Sequence, residues 1–274
     1  MNVLYGALAS LFIGASDLWG SRASSRSGPL ATSFVAFVAG GVSLTIIAAL
    51  ADHQPSGGDL LLGAVSGLGA ALGLSSLYAG YARSSVAITA PVTAVTTAVI
   101  PLAVDLVRGD VPAPLAWAGI AIGLSGLLLA TWAPHTDHLA VGIRYGVAGG
   151  VGFAFAILVL AETSADAGLW PVVPQRCVSA IVAALVAVRL RQPLLPRRED
   201  LTAPAGAGIL GGLGIGSITL GIQRGSTTPV AVAGSFYPAV TIALRWLLDG
   251  DQLSWHQVVG LAAALAGVIL IAVA

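Results

Sequence analysis

Residues 83–129 read RSSVAITAPVTAVTTAVIPLAVDLVRGDVPAPLAWAGIAIGLSGLLL, and residues 224–270 read RGSTTPVAVAGSFYPAVTIALRWLLDGDQLSWHQVVGLAAALAGVIL. Set one above the other without gaps, Arg83 falls on Arg224, Ser85 on Ser226 and Ala98-Val99 on Ala239-Val240. Leu106 then falls on Leu247, Gly109-Asp110 on Gly250-Asp251, Gly119 on Gly260 and Gly126 on Gly267. Carried back to Gly67 on Gly208, the match adds Leu72-Gly73, Ser76 and Gly80. About 18 of 63 positions are then identical, where so biased a composition gives roughly a tenth by chance. An offset near half of 274 residues describes two halves built alike.

Hydrophobic residues make up 57% of the chain and charged residues 9%. A soluble domain carries roughly a quarter charged residues, so this composition excludes a water-facing surface and points to a membrane interior. Glycine, at 35 residues, is about twice as frequent as usual, which suits helices packed closely in lipid. Acidic and basic residues balance at twelve each, and no basic run is interleaved with aromatics, so nucleic acid is not an expected partner. The single cysteine, Cys177, forbids an internal disulfide. No Lys or Arg precedes the first apolar stretch, which therefore reads as a retained membrane helix rather than a secretory signal.

About 20 apolar residues cross the hydrocarbon core. Charge, Pro and Gly divide the chain into ten such spans. They are Val3–Gly20, Leu30–Leu50, Leu60–Tyr81, Ser85–Val107 and Pro114–Trp132, then Val141–Ala161, Trp170–Val188, Ala205–Gln223, Thr227–Leu248 and Ser254–Ala274. The fold expected is an all-α integral membrane protein with ten transmembrane helices in two five-helix repeats, 1–133 and 141–274. An odd number of spans per repeat sends the second copy into the membrane from the opposite side. Inverted repeats of this kind build many secondary transporters, with the solute site between the halves near the midplane. The linker between them, with Pro134, His135, Asp137 and His138, reads as a solvated loop rather than a metal site.

The copies resemble the repeat of the EamA-type transporters of the drug/metabolite transporter superfamily. That repeat runs from a small-residue loop through a helix with a mid-helix Pro to Gly-Glu, then through a helix with spaced glycines. Here Ser226, Pro238, Gly250-Asp251, Gly260 and Gly267 follow it, and Arg176 in Pro174-Gln175-Arg176-Cys177 resembles an Arg of the family's seventh helix. The chain departs from the pattern where Asp110 and Asp251 replace Glu and Thr97 takes the first copy's Pro position. The resemblance implies cytoplasmic termini. The arginine distribution points the other way, with nine arginines in loops of one side and only Arg108 and Arg224 on the side of the termini. The resemblance also implies that the first, third, fourth, sixth, eighth and ninth helices line the path.

Asp17 is the most informative charge. It lies 12 residues past Tyr5, roughly 18 Å along a helix. An unpaired carboxylate at that depth costs at least about 2.5–3.5 kcal/mol. It either faces a cavity and exchanges a proton, or stands in water near Arg22 beyond a shorter helix. Glu162, at the end of the sixth span, and Arg176, early in the seventh, are candidates for coupling or gating. Glu162 also fits a solvated helix end, and Arg176 fits either a surface-seeking side chain or one locked to a helix carbonyl. Thr89, Thr93 and Thr96 recur on one helix face, and the equivalent face of the ninth span bears Gly234 and Tyr237, with Ser235 beside them. Such stripes line a shared cavity or bond to their own helix carbonyls at a packing interface. Tyr78 and Tyr81 with Thr219 and Gln223 would cap that cavity. Asp105/Arg108 and Arg245/Asp249 have the spacing of surface pairs at helix ends. Pro91, Pro101 and Pro238 are expected to break backbone hydrogen bonds within spans.

No catalytic triad, paired catalytic carboxylates, zinc spacing or phosphate loop emerges, and the glycines of residues 211–216 lie inside an apolar span rather than between strand and helix. The reading is a non-enzymatic secondary carrier in the cell membrane, an exporter of a small organic metabolite or drug-like solute. It would work by alternating access as a uniport or proton-linked exchange. No cofactor or metal is expected; membrane lipids and the solute are the partners, and two halves in one chain make a monomer sufficient, with a homodimer the alternative. Rival readings are a flippase for lipids or lipid-linked sugars, which would open sideways to the bilayer, and a membrane-embedded enzyme.

Overall fold

The computed structural model describes residues 2–132, 138–225, 227–249 and 254–274, and among these the regular structure is entirely helical. The helices are α1 (Asn2–Ser27), α2 (Pro29–Ala49), α3 (Gly57–Arg83), α4 (Val86–Arg108) and α5 (Pro114–Ala130). They are followed by α6 (Leu139–Ala161), α7 (Val172–Arg189), α8 (Thr202–Ile222), α9 (Thr227–Gly234), α10 (Tyr237–Asp249) and α11 (Trp255–Val273). Eight segments are long and apolar enough to cross a membrane, with α9 and α10 counted as one, while α5 and α11 are shorter apolar helices. The linker residues His135 and Asp137, together with Ser226, Gly250 and Asp251, lie outside the described residues, as does the side chain of Asp249.

Local chemistry sets the boundaries. Ser56 caps α3 reciprocally with Asp59, and the Ser85 hydroxyl accepts from the Ile88 N–H at the start of α4. Gly109 ends α4 at φ 89°, and Gly28 makes the one-residue corner between α1 and α2 at φ 84°, conformations that an L side chain resists. Helix α1 runs on to Ser27, past the expected end at Gly20. The hydroxyls of Ser21, Ser24 and Ser25 donate to carbonyls one turn back, so this polar run stays helical. Asp17 therefore lies within α1, and the alternative of a shorter helix with Asp17 in water is excluded by its 2% exposure.

The ninth span is interrupted. Between α9 and α10 the chain turns at Ser235-Phe236, because Pro238 has no N–H and its ring collides with the carbonyl four residues back, Gly234. The Ser10 hydroxyl of α1 donates to the carbonyls of both Ala233 and Gly234. Helix α4, by contrast, continues through Pro91 and Pro101.

The packing exchanges the halves. Helix α3 lies on α6 as α8 lies on α1, α4 on α6 as α9 and α10 on α1, and α7 on α3 as α2 on α8. Equivalent helices meet each other antiparallel. A Cβ on Gly119 of α5 would stand 2.9 Å from the Gly267 carbonyl oxygen of α11, and one on Gly126 would stand 2.8 Å from that of Gly260. These are the glycines that the repeat aligns, now crossed, and equivalent helices running in opposite directions are the geometry of an inverted pair.

This crossing generates a stability prediction. Gly126→Val would force a side chain to within 2.6 Å of the Ala264 backbone nitrogen, and overpacking of this kind costs about 1–3 kcal/mol or more. Thermal unfolding in detergent should show a clear drop for Gly126→Val and little change for Gly57→Ala, whose Cβ would meet nothing within 4 Å.

Candidate functional site

A cavity lies between the halves, with about 90 Å³ of room for the centres of water-sized molecules. That is space for roughly half a dozen waters or one small solute. Helices α1 to α4 of the first half and α6 to α10 of the second contribute to its wall, while α5 and α11 stand aside. The expected lining is thus extended by α2 and α7. Most of the wall is apolar, with Phe37, Leu74, Phe153, Ile157 and Ile215 prominent. The polar groups in it are few: Ser16, Asp17, Tyr78, Thr97, Gln175, Arg176, Ser235 and Tyr237.

Asp17 reaches this cavity because α1 is stitched to the second half in the turn just before it. Ser16 donates to the Ala207 carbonyl of α8 at 2.7 Å, and Thr241 of α10 donates to the Gly14 carbonyl at 3.1 Å. Tyr81 does not line the cavity; it stands behind Asp17 and donates its hydroxyl to the carboxylate at 2.5 Å. Tyr78 is fully buried in the wall, with its ring where any side chain on Gly20 would go. Tyr237 donates to the Ala90 carbonyl of α4 at 3.2 Å, so its position is fixed by the other half.

Arg176 is only 7% exposed and does not seek the surface. A terminal guanidinium nitrogen donates to the Gly211 carbonyl of α8 at 3.0 Å, its carbon lies 5.8 Å from the Phe37 ring centre, and its Nε has no partner. Beside it, Gln175 is completely buried and neither amide atom has a partner. Sequence reading passed over Gln175, although a primary amide within an apolar span, next to an Arg, was a visible signal. Ser16 and Thr97 were likewise missed.

Other expected site residues lie elsewhere. Thr89 packs on Gly80 of α3, while Thr93 and Thr96 pack on Gly149 and Gly150 of α6 and bond to their own helix carbonyls at 2.8 Å. Their stripe joins the halves and does not line the cavity, which Thr97 alone reaches from α4. Thr219 likewise bonds to the Ile215 carbonyl of its own helix, and Gln223 donates to Thr163 and to the Gly168 carbonyl at the end of α8. Glu162 is a half-exposed partner of Arg108 at 2.9 Å, outside the cavity.

Asp105 is not the surface partner of Arg108 that its spacing suggested. It is buried and accepts from both the backbone N–H (3.1 Å) and the hydroxyl (2.5 Å) of Thr228, at the start of α9. This bond joins a series of links between the halves at the end of the molecule that carries both termini. There Asp59 accepts from the Ser164 N–H at 2.7 Å, Asn2 donates to the Arg224 carbonyl at 3.0 Å, and Arg108 meets Glu162. At the opposite end Arg83 donates to Tyr145 at 2.8 Å, and a cleft opens between α1 and the Glu199-Asp200 turn.

The sequence matches the family model of the EamA-like transporter family twice, over residues 1–132 and 140–273. The chain belongs to the EamA-like transporter family. It is accordingly a multi-pass membrane transporter of the drug/metabolite transporter superfamily. No curated protein matches it. A solved structure described only as "Crystal structure of protein" is similar over 99% of this chain and 97% of its own length, with a TM-score of 0.77 and 18% identity, which is a likeness of fold.

Asp105→Ala would leave the Thr228 N–H and hydroxyl without their acceptor. Loss of such a cap lowers stability by about 0.5–2 kcal/mol. A reduced unfolding temperature is expected, with a smaller loss for Asp105→Asn, which keeps an acceptor oxygen.

Proposed function

We propose that this protein is a secondary carrier of ten spans in two inverted five-helix repeats, moving a small organic solute across the cell membrane by alternating access. The observation that carries this reading is the cavity itself. It is bounded by both halves, apolar over most of its wall, and supplied with a few polar groups from each half. A solute held there is released to one side or the other as the halves rock about the antiparallel contacts between equivalent helices. The hydrogen bonds clustered at the end with the termini fit the closed gate of such a cycle, and the cleft at the far end fits its open side. Export is the direction proposed, and one chain suffices because it contains both halves.

Asp17 is the residue proposed to couple transport to protons. It is a carboxylate shielded from water, on a helix anchored to the second half, at the wall that the solute touches. A proton and a solute that compete for it, or bind together with it, become linked in their movements. The tyrosine behind it supplies one hydrogen bond in either protonation state.

Reconstitution into liposomes tests both parts. With a pH gradient imposed, the wild type should accumulate at least one solute from a mixed metabolite and drug library. Asp17→Asn should let the same solute equilibrate without accumulating it, while the unfolding temperature stays near that of the wild type. Accumulation by Asp17→Asn equal to the wild type would remove the coupling role. Absence of any solute movement by the wild type would remove the carrier reading.

A further inference from the structure

We propose that Gln175 and Arg176 form the head-group site of the cavity, and that the solute it takes is a small carboxylate with an apolar body. This rests on the reading of the cavity as the place where the solute sits.

The first support is an unbalanced cation. Among the described residues no carboxylate stands within ion-pair distance of Arg176, although it is buried in the middle of the protein. It meets the Gly211 carbonyl and the Phe37 ring, and its Nε has no hydrogen-bond partner. A buried guanidinium with so little compensation is costly, and an anion entering the chamber supplies what is missing. The guanidinium offers donors in a planar fork, which a carboxylate matches with two parallel hydrogen bonds.

The second support is independent of charge. Gln175 has no exposed surface, yet both its amide oxygen and amide nitrogen are unbonded. A buried polar group left unmade costs about 1–3 kcal/mol. Residues 175 and 176 both border the chamber, and both lie in the first turns of α7, which begins at Val172. The positive end of that helix adds to the attraction for an anion. A turn of the Gln175 side chain brings its NH₂ to the second face of a head group that Arg176 already holds.

The remaining wall sets the rest of the molecule. The same chamber is lined by Phe37, Leu74, Phe153 and Ile157, which favour a hydrocarbon or aromatic body. Asp17 shares the chamber, and a space that already contains one carboxylate disfavours a doubly charged head. A singly charged carboxylate is thereby preferred to a phosphate ester.

The test compares four six-carbon probes on the purified full-length protein: hexanoate, hexanamide, hexylamine and hexyl phosphate. Thermal unfolding is followed as each is titrated. Hexanoate is expected to raise the unfolding temperature the most. Arg176→Gln should weaken its binding at least about tenfold, the loss of one charged hydrogen bond. Because Arg176→Gln removes a structural contact to Gly211, Gln175→Leu is the companion variant. It should unfold no earlier than the wild type without ligand, since an unbonded amide is removed, and should still bind hexanoate several-fold more weakly. Greater stabilisation by hexylamine or hexyl phosphate overturns the proposal. So does equal stabilisation of Arg176→Gln by hexanoate, or the absence of stabilisation by any probe. The carrier reading fails separately: hexanoate binding that depends on Arg176, in a protein whose liposomes move no solute, would keep this site and end the assignment as a carrier. Transport of an uncharged or cationic solute undiminished in Arg176→Gln would do the reverse.

Discussion

The structure depends on the close approach of backbones between the two halves. In hydrocarbon there is little hydrophobic gain from pressing one apolar helix on another, so association relies on close contact and on hydrogen bonds that lipid cannot provide. At the α5–α11 crossing Gly119 and Gly126 meet Gly267 and Gly260, and at the α2–α8 crossing the chain of Gly208 touches that of Ala36. Glycines also make room for large rings: Phe153 lies against Gly73 and Tyr78 against Gly20. The cavity is lined by both kinds, with Ala36 and Gly208 beside Phe37 and Phe153.

The same absence of water dictates the polar stitching. A proline that frees a carbonyl within a bilayer leaves a group that must find a donor inside the protein. At Pro238 that donor is Ser10, from the opposite half. Ser16 and Thr241 repeat the arrangement a turn or two along α1. As a result α1 packs chiefly on α8, α9 and α10, although it belongs to the first half. A helix held in this way carries Asp17 into the space between the halves and ties its position to any motion of the second half.

The backbone repeats, but the charges that line the cavity do not. The α1 wall holds an acid and the α7 wall a base, and these are not equivalent positions under the repeat. The two repeats supply a chamber walled by both halves, and unlike side chains then give it a polarity. Asp17 and Arg176 impose that polarity on an otherwise apolar space.

The membrane class, the helical content and the two similar halves follow from hydropathy and from the aligned residues 83–129 and 224–270, because these are properties of the chain's own order. So do Asp17 and Arg176 as candidates, since a charge inside an apolar span is anomalous wherever the helix packs. Only the tertiary structure decided which polar faces meet the cavity. The Thr89–Thr96 stripe has the spacing of a lining face, but the glycines of α6 lie against it. Asp105 has the spacing of a surface ion pair, but Thr228, on another helix, claims its carboxylate. Helical periodicity fixes which residues share a face; which neighbour that face meets depends on contacts with helices distant in sequence, where backbone crossing and hydrogen-bond satisfaction select the partner.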